Sequence, residues 1–159
     1  MKKKVYIETT IPSIYFNKRT APEMVARCNW TREWWDDRRV EYDLYTGAAV
    51  IDELRRADHP DRDEKLALLR NVAILPMNLN ILDIVQSYID RLIMPRDPSG
   101  DALHLALASF YGLDILLTWN CKHLANFRKF EHIEKVNREL NLGIPRLLTP
   151  LELLGDNPL

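Results

Sequence analysis

Four polar side chains in this sequence stand where they could together hold a divalent cation. Glu8 follows the first apolar run, Glu53 borders an apolar helical stripe, and Asp101 lies in the first turns of an apolar helix. Asn120 follows a second short apolar run near the end of the chain. Gathered carboxylates raise one another's pKa unless a cation neutralises them, and an all-oxygen site suits Mg²⁺ or Mn²⁺. Such an ion can orient a water molecule, lower its pKa and stabilise charge on a phosphoryl group.

Each of the three acids also has an ordinary structural interpretation. Glu8 could face water at a strand end, and Glu53 could pair with an arginine three residues further on. Asp101 could complement the positive end of its helix. That last interpretation is weakened by two residues just upstream, because Asp97 can cap the helix and Pro98 fits its first position.

The elements that must position these residues alternate between strands and helices. Short apolar runs separated by helical segments indicate an α/β fold with a parallel sheet. Since the carboxyl ends of parallel strands meet at one edge, we expect Glu8 and Asn120 to emerge together. Asp101 joins them only if the first turns of its helix lie near that edge. The predicted strands are 5–7, 42–45, 72–75, 114–118 and, as a last short one, 146–148, and the predicted helices include 20–39, 48–57, 64–70 and 81–94.

Local signals predict where several helices begin. Thr20 and Glu23 have the spacing of a capping box, and so do Thr149 and Glu152. Asn80 is the predicted cap of the helix that begins at residue 81. These signals place boundaries only, and they carry no information on function.

Tryptophans line the predicted helix 20–39. Trp30 and Trp34 are four residues apart and share a face, and Trp35 lies beside them. We interpret this stripe as core and dimer contact rather than as a platform for nucleic-acid bases, because stacking sites usually accompany a basic groove. Nearby arginines keep the second interpretation open: Arg27, Arg32, Arg38 and Arg39.

Composition bounds the possible functions. The 159 residues predict a single domain, 1–159, and the net charge of −1 means that a nucleic-acid partner requires a local basic patch. The segment 122–138 could supply that patch or be a plain solvated helix. Two distant cysteines, no signal peptide and no long apolar run lead us to expect a cytoplasmic protein without membrane contact. The sequence has no nucleotide-binding glycine motif and no serine-hydrolase motif.

Four stretches of the chain together resemble one family. They are the strand end Val5-Tyr6-Ile7-Glu8-Thr9-Thr10, the helix Ala49-Val50-Ile51-Asp52-Glu53-Leu54, the run Asp101-Ala102-Leu103-His104-Leu105-Ala106-Leu107-Ala108, and Ile115-Leu116-Leu117-Thr118-Trp119-Asn120. In order and spacing they resemble the PIN domain family, particularly the VapC-type toxins of prokaryotic toxin–antitoxin pairs. The resemblance covers nearly the whole chain.

The resemblance implies a three-layer fold, with a central parallel sheet of four or five strands flanked by helices. It implies a Mg²⁺- or Mn²⁺-dependent endoribonuclease that hydrolyses RNA phosphodiesters, a homodimer, and an antitoxin protein as partner. The implied acidic metal ligands are Glu8, Glu53 and Asp101. Asn120 would take the position of a fourth acid, and the Thr118 hydroxyl would support the ligands.

Two positions depart from the family pattern. The first acid is usually Asp, so Glu8 is one methylene longer, and the usual fourth acid is replaced by the neutral Asn120. We therefore expect one tightly bound cation or none, and weaker catalysis than at a site with four acids. The alternative is a PIN-like module that has lost catalysis and binds RNA or a protein partner.

Overall fold

A five-stranded, all-parallel sheet forms the centre of the part of the protein that the structure, a computed structural model, describes: residues 1–91, 93–94 and 100–155. The strand order is β3-β2-β1-β4-β5. This confirms the predicted α/β fold and all five predicted strands, with small shifts at their ends. The strands are β1 (Lys3–Ile7), β2 (Tyr42–Gly47), β3 (Ala73–Leu75), β4 (Ile115–Leu117) and β5 (Arg146–Leu148).

Helices connect the strands and cover the sheet. Parallel strands are joined by right-handed crossovers, so the path from β1 to β3 and the return to β4 and β5 place their helices on opposite faces. In agreement, α1 contacts α2 and α4, whereas α5 contacts α6. The helices are α1 (Thr10–Tyr15), α2 (Pro22–Glu33), α3 (Ala48–Arg56), α4 (Arg62–Leu68), α5 (Leu79–Asp90), α6 (Asp101–Phe110), α7 (Phe127–Glu139) and α8 (Pro150–Gly155).

The central strand owes its position to an unbroken apolar run. Val5, Tyr6 and Ile7 are fully buried, as expected for a strand that is covered on both faces. Close packing continues at the end of β2, where a Cβ on Gly47 would lie only 2.7 Å from Leu107 of α6. A glycine at this position therefore lets α6 approach the sheet.

The predicted capping box at the start of α2 is wrong. The helix begins at Pro22 and is preceded by Ala21, and no side chain caps it. Pro22 fits the first helical position because a proline lacks the N–H that would be unsatisfied there. The rigid proline, rather than the Thr20–Glu23 pair, marks this boundary.

The other two predicted caps have different outcomes. Asn78, not the predicted Asn80, caps α5, since its side chain accepts a hydrogen bond from the Ile81 amide at 3.2 Å. The capping box at α8 is confirmed. The Thr149 amide donates to Glu152 Oε1 at 3.1 Å, and the Glu152 amide donates to Thr149 Oγ1 at 3.2 Å.

The predicted helix 20–39 is interrupted by its tryptophans. The α-helix ends at Glu33, and a π-helical turn (Trp34–Arg38) and a 3₁₀ turn (Arg39–Glu41) follow. Trp34 and Trp35 are both buried, and consecutive residues of a regular α-helix point about 100° apart. A π turn widens the helix locally, which accommodates two adjacent bulky residues in the core. The core role predicted for Trp34 and Trp35 is confirmed.

The ends of α5 and α6 differ from the predicted boundaries. α5 ends at Asp90, short of the predicted Met94, and the Ile93 amide turns back to donate to the Tyr88 carbonyl oxygen at 3.0 Å. α6 begins at Asp101 after Gly100, whose φ of 77° favours glycine. The start predicted at Asp97 and Pro98 lies outside the described residues.

Candidate active site

The candidate site lies at the carboxyl ends of β1 and β4. These strands are neighbours, and the register pairs Ile7 with Leu117. Glu8 and Thr118, the residues that follow, are therefore adjacent, and Thr118 Oγ1 donates to Glu8 Oε2 at 2.8 Å. The carboxyl ends of these two strands therefore share one edge of the sheet, as predicted.

The Glu8 carboxylate is buried and folds back onto α1. It is 4% exposed, and its Oε2 accepts hydrogen bonds from the Thr10 amide at 3.0 Å and the Thr10 hydroxyl at 2.6 Å. The additional methylene of Glu allows this reach. Burial raises the pKa of the Glu8 carboxyl, and the neighbouring His104 and the hydrogen bonds from Thr10 and Thr118 offset only part of the rise.

Asp101 and Asn120 form a hydrogen-bonded pair. Asn120 Nδ2 donates to Asp101 Oδ1 at 3.0 Å. The orientation of the amide is fixed on its other side, where Asn120 Oδ1 accepts from the His123 amide at 3.1 Å. The Asn120 amide nitrogen therefore faces the acid, and its backbone N–H donates to Thr118 Oγ1 at 2.9 Å.

The second carboxylate oxygen of Asp101 differs from the first, which accepts the hydrogen bond from Asn120. Asp101 is 3% exposed, and its Oδ2 is buried without a hydrogen-bond partner among the residues that the structure describes. Buried carboxylate oxygens without partners are costly and therefore rare. The chemistry of this oxygen fits a positively charged ligand.

Glu53 approaches the site from the first helix after β2. Thr9 Oγ1 donates to Glu53 Oε2 at 2.7 Å, and Glu53 Oε1 lies 3.5 Å from His104 Nε2. Arg56, the arginine that could have formed a surface ion pair with Glu53, donates instead to the backbone oxygen of Asp52. Since Thr9 directly follows Glu8, this contact joins Glu53 to the same sheet edge.

A continuous series of contacts therefore links the predicted site residues, although the carboxylates do not converge on one point. Among residues 1–91, 93–94 and 100–155, no three His, Cys, Asp or Glu side chains lie close enough together to hold a metal ion. The donor chemistry nevertheless fits a hydrated Mg²⁺. This ion usually binds through one or two carboxylates and keeps several waters, and Asp101 offers a buried oxygen without a partner.

Two residues near the site were not predicted as site residues, although one of them, Lys129, lies in the segment 122–138 that could supply a basic patch. His104 is fully buried and lies one helical turn after Asp101; a histidine in an otherwise apolar helix is the signal that could have found it. Lys129 of α7 donates to the Ile93 carbonyl oxygen at 2.7 Å. Burial lowers the pKa of Lys129, and the nearby Asp101 counteracts part of that shift. No periodicity in the sequence connects Lys129 to Asp101.

Trp30 and Trp119 extend the site on one side. Trp119 directly follows Thr118 and stacks on the half-buried Trp30, with 6.2 Å between ring centroids. Its indole N–H donates to Thr31 Oγ1 at 2.7 Å, and the Arg27 guanidinium lies 5.1 Å from the ring. Trp119 is buried and packs against Trp30 and Arg27, which favours packing over base stacking for this ring.

Comparisons with known proteins identify the fold. No family model matches the chain, and no curated protein matches it. Among solved structures, it is similar to a chain in the crystal structure of VapBC2 from Rickettsia felis bound to a DNA fragment from their promoter. The TM-score is 0.53 at 12% sequence identity, over 92% of this chain and 98% of that chain. At this identity the similarity shows the fold alone, and it supports the predicted PIN-like α/β architecture.

The sequence predicted no membrane-spanning segment, and the length and apolar character of the helices bear on this prediction. None of those in the described part of the chain combines the length and the apolar character that crossing a membrane requires.

Proposed function

We propose that the protein is a divalent-cation-dependent endoribonuclease, with its site at the carboxyl ends of β1 and β4. The observation that carries the proposal is the buried Asp101 carboxylate, whose Oδ2 has no partner in the described part of the chain. A bound Mg²⁺ or Mn²⁺ would supply a water of lowered pKa and would stabilise negative charge on a phosphate. The VapBC2-like fold supports this proposal over other α/β activities.

The acids of the site would bind the cation, directly or through its waters, and two neighbouring polar residues would orient them. Since no three acids of the described residues lie close enough together to bind one ion directly, Asp101 would bind the cation, and Glu8 and Glu53 would act on it through its bound waters. Asn120 would fix the orientation of Asp101 through its hydrogen bond, and Thr118 would do the same for Glu8. Because Asn120 contributes no negative charge, one cation is proposed rather than two.

Basic residues beside the site would hold the RNA backbone. Lys129 lies within electrostatic reach of Asp101, and the exposed Lys122 and Arg128 flank the start of the same helix. Phosphate contacts orient a nucleic acid without reading its sequence. These cations supply the local basic patch that a chain of net charge −1 requires.

The proposed biological context is a toxin of a toxin–antitoxin pair. It rests on the similarity to a chain of the VapBC2 complex, and it includes an antitoxin-type protein partner and a homodimer. Co-expression with the product of an adjacent small gene, followed by size-exclusion chromatography, tests the partner. The molar mass of the protein alone, from light scattering, tests the dimer.

The activity is tested with fluorescent single-stranded RNA in Mn²⁺ and in EDTA. We expect cleavage by the wild type in Mn²⁺ only, and none by Asp101→Asn. Asp114→Asn is the matched control, because Asp114 is exposed at the opposite end of β4, where it accepts a hydrogen bond from the Lys4 amide. It should cleave like the wild type. Equal cleavage by the wild type and Asp101→Asn would reveal a contaminant.

A second outcome would favour the alternative function. Asn120 donates a hydrogen bond where the family usually has an acid, so a weakened site that only binds RNA is a specific competitor. RNA binding by the wild type without cleavage in Mn²⁺, together with no heat of Mn²⁺ binding in calorimetry, would replace the nuclease by this binding module.

A further inference from the structure

His104 connects the central strand to one of the candidate metal ligands. Its imidazole is fully buried on α6. On one side, Nδ1 lies 2.8 Å from the Tyr6 hydroxyl oxygen. On the other side, Nε2 lies 3.5 Å from Glu53 Oε1 and has no hydrogen-bond partner within the described ranges. One ring therefore spans the distance between β1 and α3.

The tautomer of His104 follows from its two neighbours. The Tyr6 hydroxyl has a proton to donate, and Nδ1 can accept it. A neutral imidazole then carries its own proton on Nε2, and this N–H faces the Glu53 carboxylate. The opposite tautomer would direct a lone pair at a carboxylate oxygen, which is repulsive. Tyr6 thus sets the orientation in which His104 attracts Glu53.

The two carboxylate oxygens of Glu53 face different neighbours. Its Oε2 is held by the Thr9 hydroxyl at 2.7 Å. On the other side, a Cβ added to Gly100 would come within 2.9 Å of Glu53 Oε1 and 3.5 Å of His104 Nε2. The absence of a side chain at Gly100 leaves the space in which the carboxylate and the imidazole face each other.

We propose that His104, oriented by Tyr6, is a positioning residue that holds the Glu53 carboxylate in the geometry needed to bind the cation through its waters. This inference rests on the proposed cation-dependent function. Residues that orient a metal ligand typically change metal affinity about 10- to 100-fold when they are removed. His104 would do so through an electrostatic contact of 3.5 Å rather than through a formed hydrogen bond. His104 acts through Glu53 and touches neither substrate nor cation.

Two amide variants test the contacts of the two ring nitrogens separately. In His104→Asn the amide oxygen can replace Nδ1 as the acceptor of the Tyr6 hydroxyl, but the side chain cannot reach Glu53. In His104→Gln the amide nitrogen can occupy the position of Nε2 and donate to Glu53. The measurement is the Kd for Mn²⁺ without RNA, from calorimetry or from the electron paramagnetic resonance signal of free Mn²⁺. We expect His104→Asn to weaken binding about 10- to 100-fold and His104→Gln to restore most of it. The exposed His132 provides a matched control, His132→Asn, with unchanged Kd.

A purely structural role for His104 predicts a different pattern. Both amide variants would then lose Mn²⁺ affinity equally, in proportion to their loss of thermal stability, and this result would overturn the proposal. Tyr6→Phe is the second variant, since it leaves His104 in place but removes the hydroxyl that sets its tautomer. It should weaken Mn²⁺ binding less than His104→Asn does, and an unchanged Kd would contradict the role of Tyr6.

The same Mn²⁺ titration distinguishes a failure of the positioning role from a failure of the cation-dependent function. If the wild type binds Mn²⁺ and His104→Asn binds it equally well, only the positioning role is overturned. If the wild type binds no Mn²⁺, the cation-dependent function is overturned, and the positioning role with it.

Discussion

Replacing Asn120 by Asp would place at this position the acid that is usual in the family that the sequence resembles, and it would change one atom of the Asp101–Asn120 pair. Asn120 Nδ2, which donates to Asp101 Oδ1 at 3.0 Å, would become a carboxylate oxygen. The other oxygen would still accept a hydrogen bond from the His123 amide, as Asn120 Oδ1 does at 3.1 Å. The substitution therefore exchanges an attractive contact for a repulsive one and leaves the local backbone contacts intact.

The magnitude can be worked out for the metal-free protein. A hydrogen bond to a charged group contributes about 1.5–3 kcal/mol. Two carboxylate charges at the 3.0 Å separation of this pair would repel by about 5 kcal/mol at an effective dielectric constant of about 20. Sharing a proton or turning one side chain away relieves much of that repulsion. We expect the free energy of unfolding of Asn120→Asp to be about 3 kcal/mol below that of the wild type in EDTA.

A divalent cation should reverse the disadvantage. A ligand that binds only the folded state stabilises it by about 2.7 kcal/mol at 100 times its Kd, and a further acid strengthens binding. Urea unfolding followed by circular dichroism, in EDTA and in Mn²⁺, measures both effects. Asn120→Ala is the uncharged control, which loses the hydrogen bond without gaining a charge and should respond to Mn²⁺ no more than the wild type.

Two results would refute this reasoning. Equal stability of Asn120→Asp and the wild type in EDTA would mean that Asp101 and Asn120 are not paired as the structure has them. If Mn²⁺ stabilises neither protein, the carboxylates at this sheet edge do not bind a cation.

Three further predictions concern the framework that holds the site. Lys65→Met removes the ammonium 3.2 Å from the buried Asp61 carboxylate and leaves it with His59 at 3.0 Å, and should cost about 1.5–3 kcal/mol in urea unfolding at pH 7. Burial raises the pKa of the Asp61 carboxyl, but Lys65 and the other neighbours of Asp61 hold that pKa below its usual range. The stability that the pair contributes should therefore be lost as the pH falls through the lowered pKa. Equal pH profiles of Lys65→Met and the wild type would contradict this prediction. Tyr88→Phe removes the hydroxyl that donates to the buried Asn137 Oδ1 at 2.6 Å and should cost about 1–3 kcal/mol by the same assay; no change would mean that another donor reaches this oxygen. Gly47→Ala places a Cβ 2.7 Å from a buried side chain of α6 and should lower the unfolding free energy by about 1–3 kcal/mol, whereas a neutral result would show that α6 can move away.

The sheet was predictable because most of its strands contain a short apolar run and β2 alternates between apolar and polar residues. The short helix α1 was not, because its six residues are too few to show a helical period and its first turn depends on the Glu8 carboxylate. The cap of α5 was misplaced by two residues because Asn78 and Asn80 are chemically equivalent candidates. Only the three-dimensional structure shows which side chain accepts the Ile81 amide.

The site was predictable where strand register alone determines a contact. The proximity of Glu8 to Thr118 follows from the pairing of β1 with β4. The contacts of Glu53 with Thr9 and His104 depend on how α3 and α6 cross the sheet edge, which no local pattern encodes. The orientation of the Asn120 amide likewise depends on the turn in which the His123 amide donates to it.

The strand order has a consequence for synthesis of the chain. β1, β2 and β3 are consecutive in the sequence and adjacent in the sheet, so the first half of the chain can pair its strands as it leaves the ribosome. That half contains Glu8 and Glu53 but lacks Asp101 and Asn120, because β4 is made later and must dock against β1 on its free side. A nascent chain therefore carries an incomplete site, and the proposed nuclease would become active only after the chain has been translated beyond Asn120 and β4 has docked.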